Sequence, residues 1–197
     1  MLVVAIIFVT KQVLPKCTPP KNNIKLLQQH QTVATTSTEF MASPKAPAEA
    51  FVKSYADAME LSLQSNTTVE ACAHALASHY TPATMNFTMG HQTSANGVPD
   101  FWLTGINAHL KRFDKSGLGW KIHLKSSRVE PLSSTAAACF LTWEIQPAKG
   151  EGWAWENIYG WRGSQDAGGK GYWEYIVSDN EIGELIKRFP EFMQLEV

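Results

Sequence analysis

Imidazole titrates near neutral pH and is the commonest side-chain acid or base, so the histidines come first. His91 leads them. It ends a short apolar stretch before a loop over residues 92–98, and Gly90 beside it permits the close approach of a ligand. His123 alternates with Ile122 and Leu124 and so has either face open to it. His109 stands beside Leu110 near the end of a helical pattern, where the helix dipole favours a charged ring. Each has a plainer alternative as a surface or hydrogen-bonded structural histidine. Among the carboxylates, Glu144 and Glu174 lie in alternating segments beside Trp143, Trp173 and Tyr175. Facing a cavity, either would gain a raised pKa through desolvation and serve as a general base; exposure at an edge is the simpler alternative. Asp57 follows Tyr55 by two on a helix, so the two side chains diverge. Asp100 opens a helix, where its charge is explained as a cap contribution.

Alternation in the stretch 153–162 gathers Trp153, Trp155, Asn157, Tyr159 and Trp161 on one strand face. Such a face suits a wall that stacks against a planar ligand, with Asn157 as the polar handle. It equally suits a dimer interface or an ordinary core, because aromatics are enriched wherever surfaces are buried. Glu156 and Arg162 occupy the opposite face and pair across strands in the plainer reading.

Other chemistries leave no trace. His74 and His79 are five apart, off a common helix face, so no zinc pattern forms. There is no nucleophile elbow, dinucleotide fingerprint or phosphate loop; Gly168-Gly169-Lys170-Gly171 belongs to a turn. No cofactor and no metal is expected. Cys17, Cys72 and Cys139 are too few and too scattered for a disulfide framework. A net charge of -1 gives no field to draw nucleic acid or an acidic membrane.

Helices and strands must position these groups, and a chain of 197 residues suits one such domain. Phe51, Tyr55 and Met59 predict a first helix over residues 47–63. Thr67 and Glu70 form a capping box for a second, carried by Val69, Cys72, Ala73, Leu76 and Tyr80 and stopped at Pro82. A short strand spans 84–91. Trp102, Ile106, Leu110 and Phe113 mark a third helix, closed by Lys111, Arg112 and Lys115 before Gly117. The period then changes, predicting strands over 120–129, 136–146, 153–162 and 171–177 as an antiparallel meander. A last helix follows Ser178, which with Glu181 makes a second capping box, and Pro190 ends it.

This α+β order, with Ala48-Glu49-Ala50-Phe51-Val52-Lys53-Ser54-Tyr55 at the opening, the strand from Gly152 to Arg162 and the close from Trp173 to Glu181, resembles the nuclear transport factor 2-like fold. Within it the chain is similar to SnoaL-like proteins, including fungal members of unassigned function, over about residues 46–192. The resemblance implies a curved antiparallel sheet wrapped round a helix into a cone with a cavity at its open end. It also implies small-molecule cyclases, isomerases or dehydratases, ligand-binding proteins or dimeric adaptors. The expected reading is a cofactor-independent enzyme acting on a hydrophobic polyketide- or terpenoid-like molecule, with His91, Tyr159 and Glu174 as catalytic candidates. Tyr55, Tyr80, Trp102, Trp143, Trp155, Asn157 and Trp173 are the expected ligand contacts. The alternative is a non-catalytic binding module or homodimer of the same fold, with the aromatic strand face against a second copy.

Leu2 to Val9 resembles a secretion-signal core, but no basic residue precedes it and no small-x-small site follows. Residues 11–45 hold five lysines, one glutamate and no sustained periodicity. Residues 1–45 are therefore expected to be disordered, or to be an extension upstream of a start at Met41. Asn66-Thr67-Thr68 and Asn86-Phe87-Thr88 match the glycosylation tripeptide, yet a cytoplasmic setting is expected.

Overall fold

The structure is a computed structural model, and it describes residues 43–147, 150–164 and 169–197. Contacts divide the chain into two units, Met1–Glu39 and Phe40–Val197. The expectations placed on residues 1–42, including Cys17, the signal-like run and the start at Met41, lie outside the described residues.

The first helix, α1 (Lys45–Glu60), buries Ala48, Phe51, Val52, Tyr55 and Ala56 at the spacing the sequence predicts and runs into a 3-10 turn at Leu61–Leu63. α2 (Val69–Ala77) is capped one residue later than expected: Thr68, not Thr67, accepts a hydrogen bond from the Ala71 N–H at 3.1 Å. Glu70 does not close the box and instead meets Lys111 at 2.8 Å. The helix also ends before Pro82. Tyr80 already belongs to β1 (Tyr80–Thr88), and Pro82 falls in the irregular stretch between Tyr80 and Met85, where the ladder asks for no N–H.

Where one strand and a loop were expected, the chain makes a hairpin. Met89 and Gly90 take φ of 50° and 79°, the left-handed pair of a tight two-residue turn, and lead into β2 (His91–Ser94). A methionine is unfavourable there. Asp179 compensates by accepting the Met89 N–H. α3 (Phe101–Lys115) follows; its N-cap Asp100 sits at φ 52° and makes no side-chain cap, contrary to the role expected of its charge.

β3 (Ile122–Ser133), β4 (Ala136–Ile145), β5 (Trp153–Arg162) and β6 (Tyr172–Val177) form the predicted meander, and α4 (Asp179–Arg188) follows. The six strands lie in the order β2-β1-β6-β5-β4-β3. One pairing differs from the all-antiparallel expectation: β1 runs parallel to β6, so the sheet is mixed. Parallel neighbours need a long connection, and α3 with the whole meander supplies it. Between Gly160 and Trp161 the β5–β6 register shifts by one, and Glu174 is the extra residue. The shift turns Trp173 inward and Tyr175 outward, over Gly160.

The aromatic face of β5 points into the domain's own core. Trp153, Trp155, Asn157, Tyr159 and Trp161 are all buried. Tyr55 of α1 packs edge-on against Trp143, Tyr159 and Trp173 with centroids 5.3–5.8 Å apart, and Phe113 of α3 stacks on Trp155. These rings are covered by helices of the same chain, so the face is not held open for a second copy. Among the described residues, no helix is long and apolar enough to cross a membrane.

Candidate functional site

Three elements converge on one carboxylate. β5 contributes Asn157 from its inward face, α3 contributes His109, and α4 contributes Glu181 from its first turn. Ser178, the N-cap of α4, makes no cap bond; its hydroxyl joins Thr88 at 2.6 Å and the Asn86 side-chain oxygen at 3.2 Å. The second capping box therefore does not form, and Glu181 is free to turn inward. Its Oε1 lies 2.7 Å from His109 Nε2, and its Oε2 accepts a 2.6 Å hydrogen bond from the Asn157 amide.

The site is buried chiefly at its carboxylate. The Glu181 side chain is 13% exposed and that of His109 30%. Burial pushes the Glu181 carboxyl up, but the bond and charge of His109 and the Asn157 amide outweigh it and hold the group below the usual carboxylate range. The Trp155 indole adds a smaller pull without reaching hydrogen-bond geometry. His109 is also clasped by rings, Phe113 at 5.1 Å and Phe192 at 5.5 Å, both edge-on.

Beside this pair sits a cluster of phenols. The Tyr55 and Tyr80 hydroxyls share a 2.6 Å hydrogen bond, and Tyr159 accepts one from the Trp143 indole at 3.3 Å. Burial raises all three phenols and the Glu181 charge adds to this at Tyr159 and Tyr80, pushing Tyr159 up to about 12. At neutral pH they are donors. Two buried polar atoms next to Glu181, Asn157 Oδ1 and Trp155 Nε1, have no hydrogen-bond partner among the described residues. A ligand with one acceptor and one donor would satisfy them.

Chemically this is an imidazole held by a carboxylate. With Nε2 committed to Glu181, Nδ1 is the nitrogen left to give or take a proton. Among the described residues no group of His, Cys, Asp or Glu has the arrangement of a metal site.

The catalytic trio expected from sequence is not brought together. Tyr159 is inside, beside the pair. His91 is exposed at the start of edge strand β2, because the Met89–Gly90 turn carries it out. Glu174 is the bulge residue on the outer face, 41% exposed, and takes Arg162 NH2 on both oxygens at 2.8 and 2.9 Å. Of the expected ligand contacts, Tyr55, Trp143, Trp155, Asn157 and Trp173 lie in the interior. Tyr80 and Trp102 instead line a cleft of about 310 Å3 shared with Pro82, Val98 and Leu103, their rings 5.2 Å apart. Of the other weighed histidines, His123 meets Glu144 at 3.2 Å near Lys125, and His79 is buried with Ser54 at 3.1 Å. Glu181 was overlooked in sequence because Ser-x-x-Glu before an apolar run is the signature of a cap. The one available hint was that a buried Asn157 amid aromatics requires a polar partner.

The order of elements is the α+β arrangement expected from sequence, with strand β2 added and the sheet mixed. No family model and no curated protein matches the chain. Solved structures similar to it include an NTF-2 like protein of unknown function from Shewanella oneidensis MR-1, 14% identical, covering 68% of this chain and 97% of that one with a TM-score of 0.48. A ketosteroid isomerase-like protein from Erwinia carotovora atroseptica is 16% identical over 68% of this chain and 93% of its own, with a TM-score of 0.46. A putative scytalone dehydratase from Novosphingobium aromaticivorans is 10% identical over 67% of this chain and 80% of its own, with a TM-score of 0.42. These are likenesses of fold, and the function is argued from the site alone.

Proposed function

We propose that the domain is a cofactor-independent enzyme that moves a proton on an apolar small molecule, in the manner of a cyclase, isomerase or dehydratase. The observation that carries this reading is the buried Glu181 carboxylate bound at once to His109 and Asn157 beside three phenols. His109 Nδ1 is the proton carrier, Glu181 fixes and charge-balances the ring, and a tyrosine or Asn157 steadies the oxygen on which charge develops. Aromatic walls suit a polyketide- or terpenoid-like skeleton. A cytoplasmic setting fits Cys72 and Cys139, which are free and buried.

The test is solvent exchange. Protein in deuterated water is mixed with a panel of polycyclic ketones, and deuterium gain next to the carbonyl is read by mass spectrometry. Wild type exchanges at least one of them, and Glu181→Gln and His109→Gln slow that exchange by about 100-fold or more. Variants as fast as wild type contradict the reading.

A second reading, a non-catalytic homodimer, is favoured by one observation. The outer sheet face carries Phe87, 37% exposed, with Ile158 and Val177 half-buried near it. Native mass spectrometry separates the two: a monomer with a copurified small molecule supports the enzyme, an empty dimer the module.

A further inference from the structure

Beyond α4 the chain makes one more 3-10 turn, Phe192–Gln194, and then runs along α3. Its attachment is sparse. Of residues 190–197 only Phe192 is fully buried, while Met193 and Val197 are about half exposed. Phe192 wedges between His109, at 5.5 Å, and Phe113, at 5.2 Å, both edge-on. Two polar bonds hold the run that follows: Arg112 Nε donates to the Leu195 carbonyl at 3.1 Å, and Lys115 Nζ to the Glu196 carbonyl at 2.6 Å. Both donors stand on the last turn of α3, the helix that carries His109.

We infer that this turn is a removable cover over His109, with Phe192 as the plug that a substrate must displace and then stack against. The inference rests on the proposed role of the His109–Glu181 pair. The physical reason is that one side chain and two side-chain-to-carbonyl bonds fasten the segment, so it opens without disturbing the sheet. Closed, it covers part of the imidazole and leaves the His109 side chain 30% exposed; open, it bares the rest of the ring and leaves an apolar socket against Phe113.

The experiment reads access rather than turnover. Histidines of the full chain are carbethoxylated with diethyl pyrocarbonate, and the rate at His109 is divided by that at exposed His91 in the same sample. In wild type the ratio is well below one. Arg112→Gln with Lys115→Gln, which leaves Phe192 in place, raises it by about threefold or more. Phe192→Ala raises it further, while the His123 to His91 ratio stays constant in both. A wild-type ratio near one, or a ratio unchanged in the Arg112/Lys115 variant, overturns the cover. That result would leave the solvent-exchange test of the pair standing on its own.

Discussion

Among the described residues two histidine–glutamate contacts occur, and the burial of the carboxylate separates their consequences. His123–Glu144 is near the surface, where Lys125 chiefly holds the carboxyl low. Such exposed contacts contribute little to stability. In His109–Glu181 the carboxylate is the more buried, 13% exposed against 23% for Glu144, and removing His109 leaves it unsatisfied. Because the Glu181 pKa is depressed on folding, its contribution is present above the ordinary carboxylate pKa of about 4.3 and is lost as pH falls through the lower folded value. Urea unfolding should therefore show Glu181→Gln less stable than wild type by about 1–3 kcal/mol at pH 7, with the gap shrinking towards pH 3. Glu144→Gln should show little difference at either pH. A gap for Glu181→Gln that widens in acid contradicts the assignment. At this scale sequence was least informative: His109 was visible as a candidate, but its partner lies 72 residues away, and the motif around Glu181 described a local cap that its side chain abandons.

Elements were far more legible, because burial imposes its period on helices and strands whichever side chain does chemistry. The four strands of the meander, the four helices and the shared aromatic face of β5 follow from the spacing of their apolar residues, while the direction of that face does not. The Met89–Gly90 hairpin did not, since neither residue type advertises a left-handed pair except the glycine, and the stabilising partner Asp179 is 90 residues away. The parallel β1–β6 pairing is likewise a long-range choice, invisible to local pattern. Gly160 offers a test at this scale. A Cβ there would stand 2.1 Å from the Tyr175 ring on the outer face. Gly160→Ala should cost about 1–3 kcal/mol in urea, and much less in a Tyr175→Ala background. Equal costs in both backgrounds would mean the ring does not lie over the glycine. Thr68→Ala should cost about 1 kcal/mol, since Thr68 caps α2, with Thr67→Ala nearly neutral.

At the scale of the whole domain, the aromatic rings that suggested a ligand wall or a partner surface are chiefly the core. A charged residue at Trp155 would thus report unfolding, not dissociation, since the ring is 5% exposed and stacked on Phe113. Ile158→Glu on the outer face is the apt probe of self-association: a fall in mass by light scattering without loss of folding supports a dimer, and an unchanged mass removes that face from consideration. What the rings leave is a polar cluster of His109, Asn157 and Glu181, joined at β5, α3 and α4. The most direct measurement of that claim is a double-mutant cycle on solvent exchange, with His109→Gln, Glu181→Gln and the two combined. A pair acting as one unit loses nearly all its rate in either single variant, and the double variant is little slower than the singles. Additive losses, or a single variant retaining the wild-type rate, would contradict it.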